Sequence, residues 1–177
     1  NLYFSEFAGI CHGCHGNVDK YIGDCAMLIF GCPQADEDHR FHAMSCALQI
    51  QKRMVELNAD RHRKNEPTMD ARIGLSSGVV LAGLFGSRER IQYTVVGEAA
   101  NLAARLCEMA RPGQVLTDRE FYQRISGRFS LQVQAARQIQ VKGFASPVEV
   151  MVLQGWKNLS GSDPGLSERN RITSRMH

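Results

Sequence analysis

Apolar and polar positions alternate along this chain with two different periods. Leu2, Phe4, Phe7 and Ile10 recur at helical spacing, so residues 1–12 read as the end of a helix. Residues 18–22 alternate and are rich in β-branched and aromatic side chains, as a strand is. Gly23-Asp24 then follows as a two-residue turn, with Gly where a type II′ hairpin wants it. Residues 25–30 are nearly all apolar and read as a second, central strand, and Pro33 ends that unit. A long helix follows. Asp36, Glu37 and Asp38 supply its caps and first-turn acids, and Ala43, Ala47, Ile50, Met54 and Leu57 its apolar stripe. The polar run 60–66 closes it before Pro67.

Residues 69–75 and 79–85 read as a second hairpin about Ser76-Ser77-Gly78, and 91–96 as a further strand. Gly97 breaks that strand. Residues 98–110 form a helix with Leu102, Leu106 and Met109 on one face, stopped by Pro112-Gly113. The rest reads as a strand at 115–117, a short helix around Phe121, a strand at 129–133 and two strands flanking Lys142-Gly143, the last at 148–153. Hairpins alternating with helices predict an α/β sandwich of the α+β kind, with a mostly antiparallel sheet and packed helices. One catalytic-sized domain is expected over 1–156. Residues 157–177 are polar without apolar periodicity, as in a disordered or vector-derived tail.

Composition narrows the function classes. The chain has 177 residues, 44% hydrophobic, enough for a single core. A net charge of +3 without a long Lys/Arg run argues against nucleic acid as a partner. No apolar run approaches the ~20 residues of a membrane span, and no signal pattern opens the chain. It starts at Asn1 inside an apolar segment and reads as an excerpt of a longer protein. Several of the six cysteines fall within apolar runs, where a thiol acts as a small hydrophobe, so a cytoplasmic setting is expected. Cys11-His12-Gly13-Cys14-His15 matches the haem-attachment string, but its surroundings read better as a helix end and a Gly-rich turn.

Six residues could carry chemistry. Asp24, at a hairpin tip, has the room to reach a hard cation; Gly-Asp is also simply a common turn pair. Lys20 shares a face with Val18 and Ile22 by alternation, and a lysine between apolar neighbours either reaches solvent or donates to a ligand. Asn101 and Arg105, at i and i+4, point the same way from a helix, as a solvated face or as donors to phosphate oxygens. Thr94 is a good strand former, and Lys142 an exposed turn lysine.

The order of these residues says more than any one of them. Val18-Asp19-Lys20-Tyr21-Ile22-Gly23-Asp24 before an apolar strand resembles the metal-site hairpin of class III adenylyl and guanylyl cyclases. Gln92-Tyr93-Thr94-Val95-Val96-Gly97 through Asn101-Leu102-Ala103-Ala104-Arg105 resembles that family's nucleotide-binding strand and catalytic helix. Gln140-Val141-Lys142-Gly143 resembles its late lysine loop. The three segments stand in family order, and the resemblance covers roughly 1–154.

The resemblance implies a ferredoxin-like βαββαβ core and an adenylyl cyclase. It converts ATP to cyclic AMP and pyrophosphate with two Mg²⁺ or Mn²⁺ ions per site. Asp24 would be one of two metal-binding aspartates. Lys20 and Thr94 would recognise adenine, Asn101 orient the ribose, Arg105 stabilise charge at the reacting phosphate and Lys142 hold the terminal phosphates. The family builds its sites across a head-to-tail dimer, so a homodimer is implied. Guanylyl cyclases of the family carry an acidic and a small polar residue in place of Lys20 and Thr94, which favours ATP over GTP. Thr94 resembles the bacterial subgroup that includes bicarbonate-responsive members, so bicarbonate is a further expected partner. The family's first metal aspartate and its phosphate-binding Gly loop lie upstream of the helix that opens this chain and are not among these residues. A guanylyl cyclase and a degenerate, regulatory cyclase-like module are the alternatives.

Overall fold

The computed structural model describes residues 2–87, 90–127 and 129–158. In chain order the elements are α1 (Leu2–Gly13), β1 (Gly16–Ile22), β2 (Cys25–Phe30), α2 (His39–Arg63), β3 (Ile73–Leu75), β4 (Leu81–Ser87), β5 (Arg90–Val96), α3 (Glu98–Met109), β6 (Val115–Asp118), α4 (Arg119–Ser126), β7 (Phe129–Ile139) and β8 (Val148–Asn158). The expected mixed α+β architecture is present. The ladders are antiparallel except between β3 and β6, and four helices pack on them.

The first hairpin forms as expected. β1 and β2 pair antiparallel, with Ile22 opposite Cys25 across the Gly23-Asp24 turn. Gly23 has φ +61° while Asp24 keeps a negative φ, the combination a II′ turn needs.

The second expected hairpin does not. β3 runs parallel to β6, with Ile73 opposite Val115, and belongs to a four-stranded sheet of order β3-β6-β8-β7. β4 instead pairs with β5, from Leu81 opposite Val96 to Ser87 opposite Arg90. Burial accounts for the choice. Ile73 and Leu75 pack into the core around Met44, Val115, Phe121 and Leu153, whereas Leu81 and Leu84 of β4 are exposed. Ser76-Ser77-Gly78 is therefore a crossing between sheets.

Two smaller corrections follow. Asp38 occupies the N-cap of α2 but makes no side-chain cap; Asp36 instead accepts from the Asp38 N–H (2.9 Å) and meets His42 Nδ1 (2.7 Å). The strand expected at 129–133 and the one expected before Lys142 are a single strand, β7, with register shifts at Gln132/Val133 and Gln134/Ala136. Those bulges break the alternation from which the two were read. β8 continues through Asn158, and the rest of the polar tail, 159–177, lies outside the described residues.

α2 buries Ala47, Ile50, Met54 and Leu57 as its periodicity predicts, with Met44 and Cys46 beside them, while Ala43 of the expected stripe is only half-buried. The Cys11-His12-Gly13-Cys14-His15 string ends α1. Cys11 and Cys14 point into a core shared with Cys46 and Ile50, while His15 is exposed with φ +59°. The Cys46 thiol donates toward Cys14 and lowers its pKa to about 7 against the cost of burial. Among the described residues no helix is long and apolar enough to cross a membrane.

Candidate functional site

β1 and β5 belong to different ladders, and side chains hold them together. Val18 pairs with Leu28 and Lys20 with Met27, so Asp19 is an extra residue, a bulge, in β1. The bulge corrects the expected alternation: Lys20 shares a face with Ile22 but not with Val18. It also lets two consecutive side chains meet. Lys20 Nζ lies 3.2 Å from Asp19 Oδ2. Thr94 Oγ1 of β5 donates to the same Oδ2 at 2.7 Å, and Gln92 Nε2 donates to the Asp19 carbonyl at 3.2 Å. The Asp19 side chain is 1% exposed and that of Lys20 27%, so the carboxylate is the inner member of the group. Thr94 is buried, and it stands opposite Gly83 of β4, which adds no side chain there.

Asn101 and Arg105 project from α3, which starts directly after Gly97. Leu102 and Leu106 bury the neighbouring face, which leaves Asn101 exposed and Arg105 partly so. Arg105 Nη1 donates to both carboxylate oxygens of Glu108, at 3.0 and 2.8 Å. α3 lies directly on β3. A Cβ on Gly74 would overlap the Ala103 carbonyl and the Cys107 amide of α3. A Cβ on Gly97 would come within 3.1 Å of the Val79 carbonyl. Both glycines are thus demanded by close approach, and together they fix where Asn101 and Arg105 stand.

Asp24 is exposed at the β1–β2 tip, and Lys142 is exposed in the 140–147 loop. That loop is ordered from within. Val141 is buried, the Phe144 N–H donates to the Val141 carbonyl at 3.1 Å, and Gln140 Nε2 donates to the Phe144 carbonyl at 2.8 Å. Lys20 and Thr94 are thus brought together, and Asn101 and Arg105 share a helix face. Neither Asp24 nor Lys142 is bonded to those four. Asp24 offers an exposed carboxylate of the kind a hard cation takes. Among the described residues, however, no group of three His, Cys, Asp or Glu side chains is placed to hold a metal.

Pattern reading missed Asp19 and Gln92. An acid beside a lysine in a strand is a visible signal, but the bulge that turns both toward β5 leaves no local mark.

The chain matches the family model of the adenylate and guanylate cyclase catalytic domain over residues 1–155. It is 37% identical over 138 residues to an uncharacterized protein of Mycobacterium tuberculosis, covering 77% of this chain and 24% of that protein. It is 32% identical over 104 residues to adenylate cyclase 1 of Rhizobium meliloti, covering 59% of this chain and 16% of that protein. The chain therefore spans about a quarter or less of the length of these curated relatives. Among solved structures it is similar to the adenylyl cyclase CyaB from P. aeruginosa, with TM-score 0.80, 30% identity and coverage of 88% of this chain and 80% of that one. It is also similar to the guanylyl cyclase Cya2, with TM-score 0.82, 27% identity and coverage of 93% and 80%. With its three signature segments on the fold that these cyclases share, the chain belongs to the class III adenylate and guanylate cyclase catalytic domain family.

Proposed function

We propose that this domain is an adenylyl cyclase, converting ATP to 3′,5′-cyclic AMP and pyrophosphate in a head-to-tail homodimer. The observation that carries the choice of ATP is the meeting of Lys20 and Thr94 at one carboxylate oxygen, from strands far apart in sequence. Adenine presents an N1 acceptor and a 6-amino donor. An ammonium can serve the first and a hydroxyl oxygen the second. Guanine reverses both positions.

The ribose 3′ hydroxyl gives up its proton to solvent and its oxygen attacks the α-phosphorus. The new O3′–P bond forms as the bond to the bridging β-phosphate oxygen breaks, and pyrophosphate leaves with the electron pair. Asn101 orients the ribose. Arg105, released from Glu108, carries its charge to the phosphate oxygens where negative charge grows. Lys142 holds the terminal phosphates. Divalent metal, Mg²⁺ or Mn²⁺, supplies activation of the attacking oxygen and neutralisation of the leaving group when bound, and Asp24 is the residue here that would hold it. The rest of the catalysis is positioning.

In the homodimer one subunit contributes Asp24, and the other Lys20, Thr94, Asn101 and Arg105. The test is nucleotide turnover in the intact protein across protein concentrations with Mg²⁺ or Mn²⁺. Cyclic AMP whose yield per milligram rises with concentration supports both the activity and the dimer; no cyclic product from either ATP or GTP at any concentration supports the regulatory-module reading. Bicarbonate responsiveness rests on Thr94 alone, and unchanged turnover at constant pH with added bicarbonate rejects it.

A further inference from the structure

The buried carboxylate of Asp19 has no part in the roles assigned above, and its situation is costly. Its side chain is 1% exposed, and its Oδ1 is buried without a hydrogen-bond partner among the described residues. A half-satisfied buried carboxylate is normally selected against, so it calls for an explanation. Its other oxygen, Oδ2, meets both Lys20 Nζ and Thr94 Oγ1.

We infer that Asp19 is the positioning residue that sets base specificity, by fixing the polarity of the Thr94 hydroxyl. This rests on the reading that Lys20 and Thr94 recognise the purine. A threonine hydroxyl has one proton and two lone pairs, and by itself it serves a donor or an acceptor equally well. Asp19 Oδ2 accepts only, and at 2.7 Å it takes the Thr94 proton. What Thr94 has left for a ligand is lone pairs. It therefore accepts from a 6-amino group and opposes a 6-oxo group. The same oxygen holds the Lys20 ammonium beside Thr94, and the Gln92 bond to the Asp19 carbonyl locks the bulge against β5. Asp19 touches no substrate; it acts through its two neighbours. Selectivity of this kind is strong because the wrong base leaves buried polar groups facing like groups.

The test is the ATP:GTP preference of the intact protein, read both as displacement of a fluorescent nucleotide and as kcat/KM. Asp19→Asn keeps the size of the side chain, but its amide can donate to Thr94 and free the hydroxyl proton. The preference for ATP is expected to fall about tenfold or more, with Thr94→Val falling as far. An unchanged preference in Asp19→Asn, with a reduced one in Thr94→Val, overturns the role of Asp19 alone. An unchanged preference in both overturns the base-reading assignment as well. Should Asp19→Asn fail to fold, the unaltered protein still decides. N6-methyl-ATP and 6-methoxypurine riboside triphosphate have nearly the same shape and the same N1 acceptor, but present a donor and an acceptor at position 6. The former is expected to bind about tenfold tighter; equal binding overturns the fixed polarity of Thr94.

Discussion

Arg105 shows how one side chain can be both legible and incomplete in sequence. Its i, i+4 spacing from Asn101 predicts a shared face, and α3 provides it. The Glu108 carboxylate that holds the guanidinium, one turn further on, went unread although i, i+3 pairs are a standard helix feature. This exposed pair contributes little to stability, so removing Arg105 should disturb chemistry far more than folding. Arg105→Ala is expected to lower kcat by about 10²–10³ with Tm nearly unchanged; a near-normal rate would remove the role given to it. Asp24 faces solvent at the hairpin tip, so Asp24→Asn should fold normally yet require more metal for half-maximal turnover. Titration with Mn²⁺ measures this, and an unshifted midpoint would show that Asp24 holds no metal. The role of Asp19 is not legible in the sequence because Thr94, its partner from β5, stands seventy-five positions on. No local pattern carries that information.

Elements were read best where burial is one-sided. The stripes of α2 and α3 and the β1–β2 turn came directly from periodicity and turn chemistry. Partner choice did not, because alternation says which face a strand buries and not which strand it pairs with. That is why the short β3 was given to β4 instead of β6. Two expectations belong to these elements. Gly74→Ala drives a methyl group into the backbone of α3 and should destabilise the domain by about 1–3 kcal/mol or more, measurable by denaturant unfolding, with activity lost in step as α3 shifts. Asp36, before α2, is raised by its burial but lowered further by its bonds to His42 and the Asp38 N–H, so its carboxyl sits below its ordinary value. A depressed folded value contributes stability above the unfolded carboxylate range, and the contribution is lost as pH falls through the folded value. Between about pH 5 and pH 3 the Tm of the unaltered protein should therefore drop more steeply than that of Asp36→Asn. Parallel curves would assign Asp36 no such part.

For the molecule as a whole, three short segments in a fixed order carry the resemblance to the family, and the family model matches over residues 1–155. The fold then confirmed the mixed α+β architecture and rearranged its strands. It also explained how weak local signals combine. Lys20 and Thr94 are unremarkable apart, and a bulge and one buried carboxylate place them together, which is the arrangement behind the proposed reading of the base. The family includes cyclases of both nucleotides, as its similarity to CyaB and to Cya2 shows. The choice between them rests on that pair. It is settled by incubating the intact protein with equimolar ATP and GTP and quantifying both cyclic products. Predominant cyclic AMP, with the excess shrinking in Thr94→Val, is the expected result. Predominant cyclic GMP would contradict the assignment of Lys20 and Thr94 to adenine.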